Sequence, residues 1–383
     1  MSTDMASDAE ILGRDEMNDL DAILAVKPDW EATIRTVQNN AETIFTWDYE
    51  RSRTPLSKLY EKAKTSQWNG TTDLPWELDV DQEKLAAMSP DSNPEMLAAM
   101  GIDLTGTPMA KWGQKEWTQI AIHQQNFMLS QFLHGEQGAL VCTAKIVETV
   151  PWIDAKYYAA TQVMDEARHV EVFARYLDEK LDGHFPLNPH LGLLLDDIIS
   201  DERWDFTYLG MQIMVEGLAL AAFGLVQAIT PEPLLKQLLR YVMSDEARHV
   251  AFGVLSLKEL YEGMTAAELG ERQEFAFEAA VRLRDRLVAG EVWERMGVDP
   301  KVAITAMRPP GMNKNDDPFQ QMLFSKIVPN LSKLGLLDAN DAWLRKKFDV
   351  IGLTQFETWT DTSIEYELLD AVSQDREAAA ESA

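Results

Sequence analysis

The chain has 383 residues, 46% of them hydrophobic, and carries 63 acidic against 35 basic side chains for a formal net charge of −28. That much apolar material can bury a sizeable core, while the charge repels polyanions and so argues against nucleic acid or an anionic membrane surface as partner. A single cysteine, Cys142, excludes an intramolecular disulfide framework and any cysteine-rich zinc or iron–sulfur site held by this chain alone.

Residues 1–45 read as a polar, acidic segment with a short helix near Asp29–Phe45. The opening MSTDMASDAEILGRDEMNDL lacks the basic start and apolar core of a signal peptide. The longest apolar run, Leu218–Ile229, falls short of the ~20 residues that span a bilayer, so the expected location is cytoplasmic. Trp47–Trp76 is rich in aromatic residues and ends in the loop-like TSQWNGTTDLPWELD. It is expected to wrap over a helical body, with its aromatic side chains as packing anchors.

Beyond Met109 long helical patterns take over: Lys115–Thr149, Ile153–Leu181, Asp201–Ile229 and Pro233–Glu262, then a fifth over Ala266–Met296. Shorter helices are expected within Pro318–Leu337 and Asp341–Gly352. No alternating pattern is strong enough to build a sheet, so the expected fold is all-α. The predicted organisation is a helical domain over 46–355 with its bundle at 115–262, and an acidic tail over 356–383 that is disordered at its end.

The hexapeptide DEARHV occurs twice, at Asp165–Val170 and Asp245–Val250, 80 residues apart. Each copy follows a lone glutamate by the same interval: Glu136 precedes Glu166 by 30 residues, and Glu216 precedes Glu246 by 30. Pro151 and Pro231 mark the two midpoints. Fifteen residues of helix rise about 22 Å, so a chain that climbs, turns at proline and descends equally returns to its starting height. Each unit is therefore a helix hairpin that sets a lone Glu level with a Glu-x-x-His pair. Apolar positions such as Phe132, Ala139, Val163, Ile213, Phe223, Val242 and Phe252 share the faces of these residues, which places the charges inside. Buried carboxylates without positive partners are very costly. Four glutamates and two histidines suit two divalent cations, and oxygen donors with one imidazole per ion favour iron or manganese over zinc. Asp165 and Asp245 can accept the free ring N–H of a ligand histidine on the neighbouring helix, with Arg168 and Arg248 pairing to them at i, i+3.

The order Glu136, Glu166-Ala-Arg-His169, Glu216, Glu246-Ala-Arg-His249 resembles the ferritin-like superfamily, in its branch of di-iron oxidases and oxygenases akin to the ribonucleotide reductase small subunit. The resemblance implies a ferritin-like four-helix bundle with added N- and C-terminal helices. It implies Glu136, Glu166 and His169 for one metal and Glu216, Glu246 and His249 for the other, with Glu166 and Glu246 bridging. It further implies two Fe ions or an Mn/Fe pair, O2 as co-substrate and a homodimer. Two departures narrow it. The usual position of the radical tyrosine, one turn after the first motif histidine, is Phe173, and the position where hydrocarbon monooxygenases carry threonine is Leu220.

Phe173, Leu220, Phe223 and Gly253 are candidates to line a pocket beside the ligands. The cluster of Gly135, Gly138, Ala139, Gly217, Ala219 and Gly253 provides either such room or close helix packing. His123, His134, His184 and His190 are read as structural or surface residues, and Glu171 as badly phased for the interior. The leading expectation is an oxidoreductase, a di-iron oxidase or monooxygenase acting on a small organic molecule with electrons from an external reductase or ferredoxin, because the chain shows no Rossmann glycine fingerprint and no cysteine cluster. The alternatives are a ferroxidase or iron-handling protein, and a radical-supplying subunit, which Phe173 disfavours.

Overall fold

The computed structural model describes residues 5–89, 93–181, 183–311, 318–359 and 374–375. Among them there is no β-strand, and the chain is all-α. Four long helices build the centre: Gln114–Thr149, Ile153–Lys180, Trp204–Ile229 and Pro233–Tyr261. They pair as two hairpins that turn at the expected prolines, the first at Val150–Trp152 and the second at Thr230–Glu232. Helix starts are capped from within. The Glu116 carboxylate accepts the Gly113 N–H at 2.9 Å. Glu232 accepts the Leu234 and Leu235 N–H groups at 2.7 and 2.6 Å and the Tyr176 hydroxyl at 2.9 Å, so the turn of one hairpin is tied to a helix of the other.

The third bundle helix is apolar and long enough to pass for a membrane span, but 78% of its most apolar window is buried inside the fold. It is a core helix. Its middle, Leu209–Val215, is π-helical, a departure from the regular turn that commonly accompanies functional residues. The helix resumes α geometry at Glu216.

Three expectations need correction. Residues 29–45 form no helix; the short N-terminal helices are Asp8–Leu12 and Leu20–Ala25. The segment instead runs along the bundle surface, where Arg35 pairs with Asp196, Asn40 donates to the Ser200 carbonyl at 2.9 Å and the Ile44 N–H donates to the Glu148 carbonyl at 2.9 Å. Contacts with the bundle outweigh the weak local preference of a stretch that contains β-branched residues and two asparagines. The fifth helix stops at Asp285, passes through a 3-10 turn at Arg286–Val288 and restarts as Gly290–Arg295. Ala289, left-handed at φ 48°, separates the two. Finally, Pro189–Ser200 is a helix capped by Asn188, in a stretch where no helix was expected; proline at the first helical position is compatible with a start. Of the expected tail, residues 360–373 and 376–383 lie outside the described residues.

Candidate metal centre

The two hairpins bring all six predicted ligands into one buried cluster. One ligand atom each from Glu136, Glu166, His169 and Glu246 lies within 4.8 Å of the others, and the same holds for Glu166, Glu216, Glu246 and His249. Glu166 and Glu246 belong to both groups, as bridging carboxylates would. His169 Nδ1 lies 3.1 Å from Glu246, 3.2 Å from Glu136 and 3.3 Å from Glu166. His249 Nδ1 lies 3.0 Å from Glu166 and 3.4 Å from Glu246. The two rings are 6.0 Å apart.

These donors are poorly served by protein alone. Glu166 Oε2, Glu216 Oε2, both oxygens of Glu246 and His249 Nδ1 are buried with no hydrogen-bond partner. Burial, then Glu246, pushes Glu136 up to about 8, and burial, Glu246 and Glu166 hold Glu216 well above the usual carboxylate range. Burial works against both imidazolium ions, yet the surrounding carboxylates raise His169 and His249 well above their ordinary value. Against its own burial, Glu166 is held well below the usual range by His249 and His169. Without cations the cluster gathers protons. This is the behaviour expected of a site whose negative charge is built for metal.

The outer ring nitrogens are fixed from the opposite direction. His169 Nε2 donates to Asp245 at 3.1 Å and His249 Nε2 to Asp165 at 3.4 Å, so each aspartate serves the histidine of the other hairpin. That assigns the proton to Nε2 and leaves Nδ1 facing the cluster. Arg168 reaches Asp165 at 2.6 Å and Asp245 at 2.9 Å. Arg248 pairs with Asp245 and lies 3.9 Å from Asp165. Burial opposes the charge on Asp245, but Arg248, His169 and Arg168 hold it far below the ordinary range.

Several partners were not evident from sequence. Gln162 donates to Glu166 at 3.0 Å and to Glu216 at 2.9 Å, and Gln212 approaches Glu216 at 3.5 Å. Each sits four residues before a ligand glutamate, a spacing that marks the same helix face. Trp68, expected only to pack, donates its ring N–H to Asp245 at 2.7 Å, and Gln67 donates to Asp165 at 2.9 Å. Tyr158, two turns before Glu166, is buried against Phe252 with an unpartnered hydroxyl; burial raises its pKa and keeps it neutral.

A narrow cleft of about 20 Å³, room for about one water molecule, opens on the lone-glutamate side, lined by Phe132, Gly135, Glu136, Ala139, Val215, Glu216, Ala219, Phe223 and Glu246, with Gln131 and Arg286. Of the four pocket candidates Phe223 lines it. Phe173 stands behind, with its ring stacked on Phe223 at 5.7 Å and edge-on to Phe132 at 5.9 Å. Leu220 packs with Ala247 and Met243 instead, and Gly253 lies against Gln212, where a Cβ would come within 2.5 Å of the Gln212 Cβ. Gly138 and Gly217 are likewise filled by Leu195 and Ile327, whereas a Cβ at Gly135 would meet nothing within 4 Å. The small residues thus divide: some permit contact, and Gly135, Ala139 and Ala219 border space. Glu171 lies away from the cluster beside Gly70 and Thr71. His134 and His190 bond the Phe185 and Ile23 carbonyls, His184 pairs with Asp178 and His123 contacts Gln119.

No family profile and no curated protein sequence matches the chain. Solved structures similar to it include a point mutant of an R2-like ligand-binding oxidase with anaerobically reconstituted Mn/Fe cofactor, at TM-score 0.49 and 18% identity, covering 75% of this chain and 95% of that one. Another is an R2-like ligand-binding oxidase with aerobically reconstituted Mn/Fe cofactor after a long soak, at TM-score 0.48 and 17% identity over 75% and 94% of the two chains. A third is an R2-like ligand-binding oxidase with aerobically reconstituted metal cofactor after photoconversion, at TM-score 0.47 and 18% identity, covering 75% of this chain and 95% of that one.

Proposed function

We propose that this protein is an oxidoreductase that uses a carboxylate-bridged pair of iron ions, or of manganese and iron, to oxidise a small organic molecule with O2. The observation that carries the reading is the set of orphaned donors: glutamate oxygens and an imidazole nitrogen, buried without partners and converging from two hairpins on one cluster. Glu136, Glu166, His169 and Glu246 would hold one ion, and Glu166, Glu216, Glu246 and His249 the other. Such a pair supplies the redox chemistry and open coordination positions that O2 activation requires.

The chain supplies the rest. Asp165 and Asp245 fix the histidine tautomers, and Arg168 and Arg248 pair with those aspartates and hold them in place. Gln162 ties Glu166 to Glu216 across the hairpins and limits how far either carboxylate can swing. Phe132, Ala139, Ala219 and Phe223 give the cleft apolar walls, which exclude water from the reacting side. Electrons would come from a separate reductase or ferredoxin, since one cysteine cannot hold an iron–sulfur cluster.

The test is metal content followed by oxygen uptake. Purified protein should hold about two Fe or Mn per chain, and Glu246→Ala, which removes a donor from both groups, should lose most of it. Unchanged occupancy in that variant would refute the ligand assignment. Oxygen uptake by the reduced protein should rise when substrate is added; uptake driven by repeated Fe(II) turnover and indifferent to organic compounds would instead indicate a ferroxidase.

A further inference from the structure

The outer surface of the first hairpin is unlike the rest of this acidic chain. On the helix Gln114–Thr149 the exposed positions between Glu136 and the hairpin turn are Gln137, Val141 and Ala144, one face at spacings of four and three. On Ile153–Lys180 the exposed positions up to Val170 are Ala160, Met164 and Ala167, at the same spacings. Val141 is 52% and Met164 62% exposed. The hairpin that levels Glu136 with Glu166 sets these two rows side by side. The charged and histidine side chains within 137–147 and 157–170, Lys145, Asp165, Glu166, Arg168 and His169, are all buried. In a chain with 63 acidic and 35 basic residues, this leaves a solvent-facing helix pair that presents no charge.

An aromatic arm continues this face at the turn. Glu148 accepts from the Thr43 hydroxyl with its carboxylate and from the Ile44 N–H with its carbonyl. The Arg53 N–H donates to the Asp154 carboxylate at 3.0 Å, so residues 43–53 cross the end of the hairpin. Extended chain alternates its side chains. Ile44 and Thr46 are half-buried, whereas Phe45, Trp47 and Tyr49 are 73%, 76% and 62% exposed. Three neighbouring aromatic side chains held outward beside an uncharged helix face form a patch of the kind that marks an interaction site.

We infer that a second copy of the chain docks on this face, hairpin against hairpin, with the aromatic arm of each copy completing the contact. The inference goes beyond the redox reading and does not depend on it. Two bodies that each carry −28 repel, so they approach closely only where neither presents charge, and the hairpin face meets that condition. An acidic redox partner finds no complementary charge there. The area agrees as well. From 137 to 147 a helix rises about 15 Å, and two helices side by side are about 20 Å wide, a strip on the order of 300 Å² where a stable contact buries about 800 Å² per partner. Three aromatic side chains at about 150 Å² each supply most of the difference. A twofold axis normal to the face runs the hairpins antiparallel and makes the contact self-complementary, so each arm reaches towards the partner's Gln137 and Ala167 end. Glu136, Glu166 and His169 stand on the inner side of the same hairpin, which the partner then braces from behind.

The experiment is analytical ultracentrifugation of the metal-loaded full chain over a concentration series up to 50 µM. The parent should sediment at twice the 43.3 kDa of one chain, and the dimer should be no weaker in 1 M salt, because no attraction between charges holds it. Met164→Glu and Val141→Glu, each of which faces an uncharged surface with a new acid, should raise the dimer dissociation constant at least tenfold. The double variant Phe45→Ala with Trp47→Ala should do the same. Val350→Glu, on the Ala339–Val350 helix that packs against Ala266–Asp285, is the control and should leave the dimer unchanged. Thermal midpoint and metal content show that each variant is folded; if one of the glutamate variants fails to fold, the other and the arm variant still decide. A monomeric parent at 50 µM, a dimer that dissociates in high salt, a dimer undiminished in Met164→Glu or in the arm variant, or equal loss in Val350→Glu would each overturn the inference. So would a chain that is monomeric alone and uses this face to bind a different protein.

Discussion

The two sides of the glutamate–histidine cluster are built from opposite materials. On the side of the repeated motif, Asp165, Arg168, Asp245 and Arg248 form a dry, interlocked set of charges, closed by Gln67 and Trp68 from the loop that follows the Thr54–Thr65 helix. On the side of Glu136 and Glu216 the walls are aromatic or small, the cation among the described lining residues is Arg286, and there is space. The first side is packed with paired charges and the second is apolar beside a narrow cleft. Buried ion networks tolerate no gaps, while an apolar wall costs little when part of it faces a cavity.

If that division holds, the largest effect of a single substitution falls on the closed side. Asp245 touches His169, Arg168, Arg248 and Trp68 and is fully buried. Asp245→Ala leaves the Arg248 guanidinium without its principal partner, takes one of two carboxylates from Arg168 and frees the His169 ring, so a destabilisation of about 3–5 kcal/mol is expected, together with loss of metal. Urea unfolding and metal analysis check it. Asp245→Asn, which keeps the shape and one acceptor, should cost less. A loss below about 1 kcal/mol for Asp245→Ala would mean that the network is not the rigid half of the site.

The closed side is also the more legible in sequence. Ligands, turns and the crossed aspartate–histidine contacts follow from helix pitch and two prolines, because interactions along one helix and with its hairpin partner depend on regular spacing. The exchange between hairpins is legible only through the repeat itself: Asp165 meets His249 and Asp245 meets His169 because equal units pack face to face. What resists reading depends on irregular backbone. Trp68 reaches Asp245 from a loop, and no periodicity assigns a loop residue its partner. Arg286 sits in a run of alternating charges, RLRDRL, that reads as a solvated helix face until the helix breaks there. The π-helical stretch before Glu216 leaves no mark in an apolar run that fits an ordinary helix equally well. Residues 29–45 carry a faint helical pattern, but their extended course is set by the bundle surface beneath them.

Two glycines sharpen the comparison at smaller energies. Gly253 sits in a sealed contact: an alanine there places its Cβ 2.5 Å from the Gln212 Cβ, close to the backbone, where no flexible tip can yield. Gly253→Ala should destabilise by about 1–3 kcal/mol and, by displacing Gln212, should loosen Glu216 and lower metal occupancy at the second site. Gly135 belongs to the open side, where an added Cβ meets nothing within 4 Å. Gly135→Ala should therefore stabilise the first bundle helix by about 0.5–1 kcal/mol, since alanine is the better helix former and restricts the unfolded chain, with metal content unchanged. Thermal midpoints of both variants, measured with metal bound, test the pair. Two destabilised proteins would show that the room beside Glu136 is filled in solution, and two stabilised ones that the tight contact at Gln212 is not maintained. Opposite signs from chemically identical substitutions, both within a few residues of a ligand, are what a site with one sealed and one open side requires.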